Sequence, residues 1–213
     1  MATLQSVTGL ARLRLDDIDA DVFDDATLLG DINSAYRLLQ MALAVNSASS
    51  TRKTATAEVL TGESTPDVLE VPEDMWLPTK IWEKQAGTTD DYYTLMDGPI
   101  TNLPNAIGQE TLRFWQYEDN TINFIPATRD NTIKIHYVKT LPALTLPTSV
   151  IQIPYAEDYL AWMAAGYQAR ARGSADYAND CVRFAQAHLE AILKGAVMAN
   201  QYRNYRARRY GAR

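Results

Sequence analysis

The chain has 213 residues, 46% apolar and 22% charged, enough for one good core or for a core with a smaller satellite. A single cysteine, Cys181, excludes an internal disulfide and any multi-cysteine zinc or iron–sulfur site, and the two histidines, His136 and His188, form no His-Glu-x-x-His cluster. The net charge is −6, yet residues 191–213 hold Lys194, Arg203, Arg206, Arg208, Arg209 and Arg213 with no acid, so residues 1–190 carry −12.

All nine prolines lie between Pro66 and Pro154. This predicts helical flanks around a β-rich middle. Leu4, Val7 and Leu10-Ala11 suit a short opening helix. Asp16, Asp17, Asp19, Asp21, Asp24 and Asp25 make an acidic turn region, and Asp24 or Asp25 can cap the next helix. Leu28, Ile32, Ala35-Tyr36, Leu39 and Leu43 then recur at spacings of three and four, predicting a helix of about 20 residues with one buried stripe.

The middle alternates. Strands are expected at 54–59, 68–71, 75–84, 92–96 and 132–138, with Ile133, Ile135 and Tyr137 on one face. Residues 111–117 and 121–125 flank Glu118-Asp119-Asn120 and read as a hairpin. Asp97-Gly98-Pro99 is a turn signal.

Pro154 suits the first turn of a helix whose face carries Tyr155, Tyr159-Leu160, Met163 and Tyr167. Gly173 breaks that run and Ser174 can cap the next helix, with a stripe at Tyr177, Cys181, Phe184, His188 and Ile192. The short turn between them predicts an αα-hairpin. The expected fold is therefore α+β. Residues 1–50 and 154–200 form a helical bundle, 51–153 form an inserted, mainly antiparallel β domain, and 201–213 form an extended basic tail.

No residues select a catalytic or cofactor chemistry. The acids at 16–25 lack the glycine and terminal glutamate of a calcium loop, so capping and a solvated face explain them more simply. Cys181 reads as a buried structural thiol, His188 as a packed residue and His136 as a strand residue on the wetter face. No apolar run approaches the roughly 18 residues of a membrane span, and the first residues lack a leader's basic start. A reducing cytoplasm is the expected folding compartment. Trp76, Trp82, Trp115 and Phe114 beside Arg113 are either a base-stacking platform or a sheet core, and the acidic surroundings favour the core. No enzyme, metal or cofactor is expected.

Two stretches carry a family likeness. The first is Asp24-Asp25-Ala26-Thr27-Leu28-Leu29 followed by Ile32-Asn33-Ser34-Ala35-Tyr36-Arg37. The second is Pro154-Tyr155-Ala156-Glu157-Asp158-Tyr159-Leu160, ahead of an alanine-rich helix, a small-residue break at Gly173-Ser174 and a basic tail. In these the chain resembles the head-to-tail adaptor (connector) proteins of tailed bacteriophages, in the short-tailed-phage version with an added β domain. The resemblance implies a virion structural protein at the head–tail junction, made in the bacterial host cytoplasm. It implies a homo-oligomeric ring, usually of twelve copies, between the portal protein and the tail nozzle or tube, with genomic DNA passing through the lumen. It puts portal binding on Tyr202, Arg203, Tyr205, Arg206, Arg208, Arg209, Tyr210 and Arg213. Asp16, Asp17, Asp19 and Asp21 would face a neighbouring subunit or the channel. An acidic lumen suits passage, since like charge keeps DNA from sticking.

Two other readings use the same residues. A tail-completion or terminator ring would bind tail components without the portal. A nucleic-acid or ligand binding module would use the aromatic β region, and its DNA affinity would fall with salt.

Overall fold

A computed structural model describes residues 2–17, 22–46, 48–67, 70–98 and 109–210, with side chains up to residue 196. The chain forms two compact units, residues 1–51 with 141–213 and residues 52–140.

The first unit is helical. Helix α1 (Leu4–Leu15) begins at a capping box, in which Thr3 accepts from the Ser6 backbone and the Ser6 hydroxyl accepts from the Thr3 backbone. Helix α2 (Asp25–Val45) is capped by Asp24, whose carboxylate accepts from the Thr27 amide at 2.6 Å. Its predicted stripe, Leu28, Ile32, Ala35, Tyr36, Leu39 and Leu43, is buried.

Helices α3 (Glu157–Ala171) and α4 (Ala175–Tyr210) form a hairpin. Gly173, at φ +79°, takes the left-handed position after α3. Its amide donates to the Arg170 carbonyl and the Ser174 amide to that of Ala169, closing a Schellman motif. Ser174 then starts α4, accepting from the Ala178 amide through its carbonyl. Helix α3 is central: Tyr159, Leu160, Ala161, Ala164, Ala165 and Ala169 are buried, and α1, α2 and α4 all pack on it. A Cβ on Gly166 would stand 3.3 Å from the Cβ of Cys181, so glycine sets the close approach of α3 and α4.

Three details depart from expectation. Pro154 precedes α3 instead of opening it, because Tyr155 sits at φ +61° and Ala156 is the N-cap. The segment 141–153 packs with the helices and not with the β unit, because Leu141, Leu144, Ile151 and Ile153 join the helical core. Residues 201–210 continue α4, so they are helical and not extended.

The second unit holds two sheets. The first has the order β1 (Arg52–Val59), β7 (Asn131–Lys139), β2 (Met75–Gln85), β3 (Tyr93–Thr94), all antiparallel. The second has the order β4 (Met96–Asp97), β5 (Phe114–Glu118), β6 (Thr121–Phe124), with β4 parallel to β5. The predicted hairpin is β5–β6, and Asp119 and Asn120 both take positive φ, as a two-residue primed turn requires. Pro78 is accommodated where the β2–β7 register shifts. Ile81, Trp115, Ile122, Phe124, Ile133, Ile135 and Tyr137 fill the shared core. The strand expected at 68–71 is absent from its described half, where Glu70 and Val71 form a turn and a bend; Val68 and Leu69 lie outside the described residues.

Candidate functional site

The acidic loop is organised from within. Helix α1 delivers Arg12, only 8% exposed, to the loop that follows it. Its guanidinium donates to Asp17 at 2.8 Å and to Asp25 at 2.7 Å. Asp17 is 5% exposed and also accepts from the amides of Val22, at 3.0 Å, and Phe23, at 3.1 Å. Asp17 is therefore a clasp between α1 and α2, and does not face outward as the acidic run suggested. Asp16 is exposed, and it ends α1 at φ 54°. Asp19 and Asp21 lie outside the described residues. Asp24 is the cap of α2; the hydrogen bonds from Thr27 hold its carboxyl below the usual range. Among the described residues no group of His, Cys, Asp and Glu is placed to hold a metal ion.

A second cluster ties α1 to the hairpin. The Arg14 guanidinium pairs with Asp158 and lies 4.3 Å from the ring centre of Trp162. Trp162 in turn meets Phe184 of α4 at 4.9 Å between ring centres. The Tyr177 hydroxyl donates to the Arg14 carbonyl. Cys181 is buried, and burial pushes its thiol up, so it is a packed thiol and not a nucleophile.

The sequence marks Tyr155 by its helical spacing and within the Pro154–Leu160 stretch, and neither assigns it a role. It is 83% exposed on a left-handed backbone. It borders two open grooves. One, of about 570 Å³, runs along Leu43, Ile153, His188 and Ile192; the other, of about 870 Å³, runs along Leu10 and Ile151.

The basic segment lies on the last turns of α4. Tyr202, Arg203, Tyr205, Arg206, Arg208, Arg209 and Tyr210 fall on that helix, while their side chains and Arg213 lie outside the described residues. The fold thus provides a 36-residue helix whose basic end follows a packed first half. Nothing in this arrangement assembles a nucleophile, base and oxyanion donors at one place among the described residues. It presents surfaces.

The profile of the SU10 adaptor protein family matches residues 2–212, across both units and α4. The chain belongs to the SU10 adaptor protein family. This phage adaptor family comprises structural virion proteins that associate with portal and tail proteins. No curated protein matches the chain. Within this SU10 adaptor protein, no described helix is long and apolar enough to cross a membrane. Of the four aromatic candidates in its β unit, Trp115 is core, Phe114 is half-buried, Trp76 is exposed and Trp82 stands on the open face of the first sheet.

Proposed function

We propose that this adaptor assembles as a ring, of twelve copies, between the portal and the tail nozzle or tube, with DNA leaving through its lumen. The observation that carries the reading is the family match from residue 2 to residue 212, which takes in the helical unit, the β unit and the basic end of α4 together. The helical unit and the last turns of α4 hold the portal. Tyr202, Arg203, Tyr205, Arg206, Arg208, Arg209, Tyr210 and Arg213 supply that contact, since tyrosine and arginine are the side chains that most often anchor interfaces and arginine suits an acidic partner surface. The β unit receives the tail component. Asp16, Asp19 and Asp21 are assigned to a neighbouring subunit or the channel, while Asp17 serves as the clasp between α1 and α2.

The test is capture of tagged protein from cells making the source phage, at physiological and high salt, with mass spectrometry and negative-stain imaging of the eluate. Rings containing portal and this chain are expected. Recovery of tail proteins without portal would move the chain to tail completion. Removal of residues 201–213 is expected to weaken portal capture without changing the melting temperature; unchanged capture at physiological salt would end the assignment of portal binding to that segment.

A further inference from the structure

The β unit is acidic as a whole, with eight basic and fourteen acidic residues between 52 and 140. Its first sheet nevertheless has a basic face. The register aligns three rows across the strands: Thr54 with His136 and Lys80, Thr56 with Lys134, Trp82 and Thr94, and Glu58 with Thr132 and Lys84. The alternate residues Ala57, Ile133, Ile135 and Ile81 point into the core, so the rows lie on the opposite face. Arg52 has the same strand parity, and its charge acts on His136. Half of the unit's cations, Arg52, Lys80, Lys84 and Lys134, thus stand on one surface, and Glu58 at one corner is the single carboxylate in the rows.

These cations are held but not neutralised. The Lys80 ammonium lies 5.0 Å from the Trp82 ring centre, and those of Lys84 and Lys134 lie 5.2 and 5.6 Å from that of Tyr92. His136 adds a ring 6.2 Å from Trp82. No described carboxylate is within ion-pairing distance of any of the four. The Arg52 Nε is buried without a hydrogen-bond partner. Along the strand direction Lys80, Lys134 and Lys84 advance in steps of two residues, about 6.6 Å each, with Lys134 one strand, about 4.8 Å, to the side, so the three form a staggered row of positive charge.

We propose that this sheet face binds the phosphate backbone of a nucleic acid. Its neutral members are mostly threonines, and interfaces with DNA are more polar and far more positive than those with protein. Lysine ammoniums already cover the rings of Trp82 and Tyr92, so the contact is to phosphate and not by base stacking. Such binding is insensitive to sequence and steeply sensitive to salt.

The test uses the full chain, a fluorescent duplex of mixed sequence and anisotropy over a salt series. Three variants separate the surfaces: Lys80→Glu with Lys84→Glu and Lys134→Glu; the same three positions to Gln; and Arg203→Gln with Arg206→Gln, Arg208→Gln and Arg209→Gln. The glutamate variant is expected to bind at least tenfold more weakly at low salt. The slope of log affinity against log salt should shrink by about 2 to 3 in either lysine variant. The glutamine variant keeps the test valid if the glutamates impair folding, which the melting temperature reports. Three results would overturn the proposal: no DNA binding by the unaltered chain at low salt, loss of all binding in the arginine variant with none in the lysine variants, or binding of poly-glutamate in place of DNA. The last would assign the face to an acidic protein.

Discussion

Asn33 and Leu144 exchange two hydrogen bonds of 2.9 Å. The Asn33 amide donates to the Leu144 carbonyl, and its oxygen accepts from the Leu144 amide. A side chain on α2 thereby pairs like a strand neighbour with the segment returning from the β unit. One turn along, the Tyr36 hydroxyl accepts from the Gln152 amide at 3.1 Å. The Asn33-Ser34-Ala35-Tyr36 stretch that marked the family likeness has this physical role. It fixes residues 144–152 against the helices, where Leu144, Ile151 and Ile153 complete the core.

Asn33→Ala strands two part-buried backbone groups and is expected to cost about 2 kcal/mol, more than Tyr36→Phe at about 1 kcal/mol. Asn33→Asp keeps the acceptor but turns a carboxylate oxygen toward the Leu144 and Leu29 carbonyls, so near neutral pH it should cost at least as much as Asn33→Ala. Urea unfolding followed by circular dichroism measures all three. A neutral Asn33→Ala would show that water replaces both bonds.

Arg12 and Asp17 are both buried, so removing Arg12 leaves the Asp17 carboxylate in the interior with the amides of Val22 and Phe23 but without its cation. Arg12→Met is expected to destabilise the helical unit by about 3 kcal/mol. The double variant Arg12→Met with Asp17→Asn should recover part of this, and a double-mutant cycle in urea gives the coupling. Independent, additive costs would mean that the loop holds without the pair.

The helices were legible because their apolar residues recur at three and four and because Asp24, Gly173 and Ser174 punctuate them. The hairpin at Asp119-Asn120 was legible for the same local reason. Segment 141–153 was not. Its buried residues follow no period, and its partners, Asn33 and Tyr36, lie more than a hundred positions away in the chain. The sheet order β1-β7-β2-β3 is likewise a matter of distant pairing. The acids at 16–25 look alike in sequence, and only the fold shows that Arg12 turns Asp17 inward while Asp16 remains outside. The threonines and lysines of the sheet face are spread over four strands, so no local run announces them.

Glu83 sets a pH dependence in the β unit. Burial raises its carboxyl above the usual range, although the Leu112 amide donates to it at 2.8 Å. The folded state therefore holds this proton to higher pH than the unfolded chain, whose value is near 4.5. The group's contribution is full below that value and is lost as pH rises through the folded pKa. Glu83→Gln keeps an acceptor for Leu112 and carries no charge. It should unfold at equal or higher urea at pH 7, and it should remove the gain that the unaltered chain shows on acidification toward pH 5. An unaltered chain with no such gain would place the Glu83 titration at its unfolded value.

Gly30 and Gly166 differ in what a methyl group would meet. Gly166 faces the Cys181 Cβ, whereas nothing lies within 4 Å of a Cβ on Gly30 in the middle of α2. Gly30→Ala should therefore stabilise the isolated chain by about 0.5 to 1 kcal/mol, through helix propensity and a less disordered unfolded state. Gly166→Val should destabilise it by about 1 to 3 kcal/mol, because the hairpin must open to admit the branch. Thermal melts of the two variants compare them directly. If Gly30→Ala also lowered the yield of assembled rings while raising the melting temperature, the glycine would be serving a contact outside its own chain. A melting temperature lowered by Gly30→Ala would instead mean that the helix already uses the bare backbone at that turn.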